Sequence, residues 1–142
     1  MKEKAGADVI ELEDWHQAVE HFYEQGWTDG HPVIPPTEDL VARLLAGVSD
    51  RDPDESLGAV PPRWGEATVR LCAINAAMAG CLPEHMPILL AAVEAVLQPN
   101  FNLAGIQATT HCATPLIVVS GPDLNARGIN AGHNVMGNGA RG

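Results

Sequence analysis

Residues 66–97 read EATVRLCAINAAMAGCLPEHMPILLAAVEAVL, and their pattern decides the fold. From Glu66 to Ala79, Val69, Leu71, Cys72, Ile74, Asn75 and Met78 fall on or beside one helical face. Gly80 supplies the left-handed residue that closes such a helix. Pro83 suits the first position of a second helix, which runs to about Leu97. Pro87 lies inside it and is set to kink its first turn. Ile88, Leu89, Ala92, Val93 and Val96 form its predicted buried stripe. Two apolar helices joined by so short a turn predict a helical hairpin.

Downstream of Pro99 the period changes. Gly105–Thr110 reads as a strand, and Pro115–Ser120 as a second, apolar without alternation and therefore buried on both faces. Gly121-Pro122 ends it. Residues 121–142 hold six glycines and four asparagines and carry no helical or strand period. Upstream, Asp14 is an N-cap with Gln17 three residues on, as in a capping box. Trp15, Ala18, Val19, Phe22 and Tyr23 then repeat at helical spacing to about Gln25. Thr37-Glu38-Asp39 starts another helix, with a cap and two first-turn acids, and Leu40, Val41, Leu44 and Leu45 make its apolar face. Leu57–Val60 fits one short strand, and Pro61-Pro62-Arg63-Trp64-Gly65 a stiff turn. The expected fold is therefore α/β or α+β: N-terminal helices, a helical hairpin, then a small, incomplete sheet. A weakly ordered lead-in, 1–12, precedes one domain, 13–142.

With 142 residues the chain is long enough for one real core. Its formal charge is −10, and residues 1–66 hold fifteen of the eighteen acids. That acidic half repels nucleic acid and anionic membranes. The other half is neutral and rich in Ala, Leu, Val and Gly, which predicts burial in its own core or against a partner. Met1–Ala5 leads into acidic residues and not into an apolar signal core, so a cytoplasmic protein is expected. No apolar run approaches the ~18–20 residues of a membrane span. Cys72, Cys81 and Cys112 form no CxxC pair, and an odd count argues against a disulfide framework. Cys72 and Cys81 read as core thiols. His16, His21 and His85 read as exposed or capping residues, and Trp27 and Trp64 as core fillers before ligand-stacking groups.

Three segments can carry chemistry. Gln25–Thr37 packs two glycines, three prolines, Trp27, Asp29 and His31 into thirteen residues. No regular element tolerates that mixture, so it is a rigid loop, and rigid loops with polar groups are where sites tend to lie. Asp29 either makes only a turn bond or acts as an acid/base or ligand group. Thr109-Thr110-His111-Cys112 sits between the two predicted strands. His111 and Cys112 can serve as base and nucleophile or bind a soft metal, although neighbours on an extended chain face opposite ways. In Gly128–Gly139, Gly and Asn can present backbone N–H groups to an anion. There is no P-loop, HExxH, GxSxG or CxxC, so the sequence names neither a cofactor nor a metal.

The motifs Phe22–Gly30 and Pro32–Thr37, with Asp52–Glu55, Ala73–Cys81, Gln107–His111 and Gly128–Asn130, resemble the signature of a largely uncharacterised bacterial family. The resemblance covers residues 13–142. It implies an association with UGSC-type thiol or selenol proteins, as a fused or neighbouring partner. The chain departs from that pattern at His31 and Cys112, where an apolar residue and a Pro are expected, and His133 falls at a variable position. The matching residues Trp27, Asp29, Thr109, Thr110, His111, Asn130 and Gly132 gain weight. Members of the family run on past the Gly/Asn segment, so this chain is expected to be an N-terminal portion, truncated at its C-terminus.

The leading expectation is an enzyme domain or subunit. Asp29 and His111 would be its acid/base groups, and Trp27, Thr109, Thr110, Asn130, Gly132 and Asn134 would bind substrate. A thiol or selenol partner could supply the nucleophile, with a homo-oligomer as the other assembly considered. The alternative is a non-catalytic scaffold or interaction subunit of such a complex.

Overall fold

The computed structural model describes residues 9–124, 126–129, 131–133 and 135. The first eight lead-in residues, Asn130, Asn134 and Gly137–Gly139 lie outside them. Among the described residues the fold is a mixed α+β arrangement of five helices and one two-stranded antiparallel sheet.

Helix α1 spans Trp15–Glu24. The Asp14 side chain caps it by accepting from the Gln17 N–H, while Gln17 Oε1 takes the N–H of Glu13 at 2.7 Å, one residue earlier than a standard capping box. At its end Gly26 has φ 68°, and the Trp27 N–H reaches back to the Phe22 carbonyl at 2.8 Å, so the chain leaves through a left-handed cap. Helix α2, Glu38–Leu45, is capped by Thr37 as its sequence predicts. It tightens into a 3-10 turn, Ala46–Val48. Gly47 lies in that turn, and a Cβ there would run into the carbonyl of Pro83, so only glycine lets the two segments meet.

The sheet lies before the helix pair, not after it. Strand β1, Ser56–Val60, pairs with β2, Gly65–Thr68, with a bulge between Ser56 and Gly58. The Pro61–Trp64 turn joins them. Thus Glu66 and Ala67, expected at the head of a helix, are strand residues. The helix begins only where the Thr68 hydroxyl caps the Leu71 N–H.

Helix α3, Val69–Met78, and helix α4, Met86–Val96, form the expected pair. The turn between them is closed by Gly80 at φ 77°. Proline sets its next step: Pro83–His85 is a 3-10 turn, and Pro87 falls in the first turn of α4, where its missing N–H costs nothing. The buried faces differ from the predicted ones. On α3, Val69, Ala73, Ala76 and Ala77 are buried, Leu71, Cys72, Ile74 and Met78 are half-buried, and Asn75 is exposed. The alanine face lets α2 approach the α3 backbone, which pushes the larger side chains to the flanks. On α4, Met86 and Leu90 are buried, and the expected stripe of Ile88, Leu89, Ala92, Val93 and Val96 is only half-covered.

One core joins Val41, Leu44 and Val48 to the alanine face and to Met86 and Leu90. Each of its fully buried large side chains contributes about 1.5–3 kcal/mol relative to exposure. Glu55 and Pro53 carbonyls accept the Val69 and Arg70 N–H groups, docking the acidic turn onto the start of α3.

Beyond α4 the expected strands are absent. Gly105–Ala108 belongs to a short helix α5, Leu103–Ala108, capped by Asn102 in the left-handed region. Asn102 uses its side chain to hold the Gly105 N–H, and that cap outweighs the local strand propensity. Pro115–Ser120 forms no ladder, and Leu116, Ile117 and Val118 are exposed rather than buried on both faces. No single described helix is long and apolar enough to cross a membrane.

Candidate functional site

The loop after α1 is rigid for reasons its sequence carries. The Thr28 hydroxyl donates to the His31 carbonyl at 2.6 Å and accepts from the Gly30 N–H at 3.2 Å. Asp29 Oδ1 accepts the His31 N–H at 3.2 Å, an Asx turn. Further on, the Ile34 N–H donates to the Met78 carbonyl at 3.1 Å, which fastens the loop to the end of α3. Asp29 and His31 are both exposed. Trp27 lies against Phe22 and His21, with ring centroids 5.7 and 5.6 Å away, and stays 51% exposed. Trp64, read as a core residue, is 65% exposed at the hairpin turn. The turn holds it at φ 57°, off the core.

The second segment is built separately. Thr109 Oγ1 accepts the His111 N–H at 3.2 Å. Thr110, His111 and Cys112 are exposed, and Thr109 is half-buried. In the third segment Gly132 is exposed, with φ 70°. Among the described residues no hydrogen bond links Asp29, His111 and Gly132, and neither of the two principal cavities holds any of them. Of the described residues predicted to form the site, Trp27 lines the first of these cavities and none lines the second.

That cavity, about 780 Å³, opens between α1 and α2. Trp15, Ala18, His21 and Phe22 form one wall, and Val41, Ala42 and Leu45 the other, with Pro35 and Pro36 at the side. Asp14, Glu38 and Arg70 also border it. The Arg70 guanidinium is bound to Asp54 at 3.1 Å. His21, expected to be exposed or capping, is half-buried, and its Nε2 is enclosed without a hydrogen-bond partner among the described residues. Sequence reasoning missed this imidazole because its surroundings depend on how α1 docks beside α2. The i, i+1 and i+6 spacing of His21, Phe22 and Trp27 is the only local sign.

His85 is a capping residue, as expected, and does more besides. Its Nδ1 accepts the Leu82 N–H at 3.1 Å, so the proton sits on Nε2, which donates to the Arg127 carbonyl at 2.7 Å. Arg127 in turn donates to the Glu84 carbonyl at 3.2 Å. This pair ties the glycine-rich turn to the start of α4. Burial pushes the Cys72 and Cys81 thiols up from their ordinary value. Cys112 is exposed. Among the described residues no three His, Cys, Asp or Glu side chains gather as a metal site. Comparison with family models, curated proteins and solved structures gives no match.

Proposed function

We propose that this chain is a non-catalytic interaction subunit whose segment 113–119 adds as a strand to the sheet edge of a partner protein. One observation carries this reading. Leu116, Ile117 and Val118 are 67%, 58% and 81% exposed, and no backbone group from Cys112 to Ser120 bonds to another described backbone group. β-Branched apolar residues with free backbone donors and acceptors are the chemistry of strand addition. The segment carries no charge, so it can enter an apolar interface without desolvating an ion. Pro115 and Gly121-Pro122 bracket its apolar run, Leu116–Val119, and fix where pairing stops. The family resemblance makes a thiol- or selenol-bearing protein the first partner to test.

The test is amide hydrogen exchange with and without that partner. The amides of Leu116–Val119 are expected to slow at least tenfold in the complex. Ile117→Lys is expected to abolish binding while leaving the isolated chain's unfolding midpoint unchanged. Equal exchange in both states, or full binding by Ile117→Lys, removes the strand-addition reading. In the complex, Asp29→Asn with His111→Ala distinguishes the catalytic reading: loss of turnover with assembly intact would favour it.

A further inference from the structure

The cavity between α1 and α2 is unused by strand addition, and it has the make-up of a small-molecule site. We propose that it binds a single aromatic molecule bearing a cationic N–H donor, such as an arylalkylammonium.

Four observations support that ligand class. The volume, about 780 Å³, falls within the range of pockets that enclose one drug-sized molecule. The walls hold Trp15, Phe22 and Trp27, whose faces suit a flat apolar body and attract a cation. Among the described residues the border carries the carboxylates Asp14 and Glu38, while Arg70 is already engaged by Asp54. An anionic ligand would therefore meet repulsion and a cation would not. Finally, His21 lines the cavity with its Nε2 enclosed and unpartnered. A buried polar nitrogen left unpaired costs free energy, so a turn of the ring that opens Nε2 to the cavity lets a ligand donor pair with it. Helix α1 contributes only Ala18 and Phe22 as buried side chains, and neither joins the main core. Val9, Ile10 and Leu12 line the cavity as well, and the described residues leave the space between the two helices open.

Three matched probes test the proposal: 1-naphthylmethylammonium, 1-naphthalenemethanol and 1-naphthoate. They share one ring system and differ in the charge and donor of the side group. Titrations use the full chain at about 0.15 M salt, where surface attraction is screened. The host is Trp64→Phe, which leaves Trp15 and Trp27 as its only tryptophans, because the chain has three. The ammonium is expected to quench their fluorescence with one saturable site and to bind at least tenfold tighter than the carboxylate, with the alcohol between them. Ala42→Trp fills the cavity from an exposed position on α2 and should abolish binding without lowering the unfolding midpoint. His21→Phe keeps the ring packing and should weaken the ammonium by about 3- to 10-fold, the value of one hydrogen bond. Equal binding of all three probes, or binding that survives Ala42→Trp, overturns the site. Unchanged ammonium affinity in His21→Phe overturns the role of the imidazole. These readouts need no partner protein, so they stand or fall apart from strand addition.

Discussion

Residues 66–97 and residues 109–120 are both poor in charge and rich in apolar side chains, yet one stretch holds the heart of the core and the other lies on the surface. The difference lies in where each backbone finds its partners. A helix satisfies its own N–H and C=O groups, so α3 and α4 need only side-chain neighbours, and α2 supplies them. An extended segment needs another strand beside it before burial becomes favourable. No described strand lies beside 113–119: β1 and β2 bond to each other, and neither outer edge of that sheet carries this segment. Similar hydrophobicity therefore contributes to folding in the first region, while in the second it stays exposed and is what the proposed strand addition would bury.

Mutating the two regions should expose that contrast most strongly. Leu90→Ala removes a side chain only 2% exposed and is expected to cost about 2–5 kcal/mol in urea unfolding. Val118→Ala in the isolated chain should change stability by no more than about 0.5 kcal/mol. A Val118→Ala cost near that of Leu90→Ala would mean that the segment is buried in solution, and the contrast would fail.

A smaller effect should come from the clip that holds the glycine-rich turn to the helical half. His85→Ala leaves the Leu82 N–H and the Arg127 carbonyl without their buried partner. The expected cost is about 1–3 kcal/mol, with faster protease cleavage between residues 121 and 129. Unchanged cleavage would show that Arg127 bonding to Glu84 holds the turn by itself.

How much of this was legible in the sequence follows the same division. Asp14, Gly26, Thr37 and Gly80 act through the few residues beside them, and each does what its sequence predicts, whereas Pro83 opens a 3-10 turn ahead of α4 and not α4 itself. The burial on α3 was misread because periodicity finds the apolar side of a helix but not which part of it a neighbour covers. Three alanines and a tight α2 contact decide that, and they are a tertiary matter. Gly105–Ala108 was misread because strand propensity was weighed without the Asn102 cap just upstream. Of the candidate site, the rigidity of the Trp27–His31 loop was legible from its turn residues. The cavity behind Trp27 was not, since it is a property of two helices 23 residues apart at their starts.

Thiol chemistry gives a gentler comparison. Cys112 is exposed, whereas Cys72 and Cys81 are half-buried with their thiols pushed up by desolvation. A thiolate reagent such as Ellman's should modify Cys112 first and the other two only as the chain opens. The pH dependence has a definite sign. Unfolded thiols ionise at their ordinary pKa of 9.0, before the folded ones do. Stability is therefore flat below that pH and declines as pH rises from there toward the folded values. Rapid labelling of all three thiols at neutral pH would show that α3 does not shield its flank.

The smallest expected effect is the most useful for separating structure from chemistry. Asp29 has one described structural role, its Oδ1 accepting the His31 N–H. An asparagine presents a carbonyl oxygen at the same place and tolerates the same turn. Asp29→Asn should therefore move the unfolding free energy by less than about 0.5 kcal/mol. What it removes is a negative charge and a proton acceptor at an exposed position. Because the fold keeps its bond, any change in assembly or turnover of the complex would report on that lost charge alone. A stability loss well above that bound would instead mean that the carboxylate holds the loop through an interaction beyond the Asx turn.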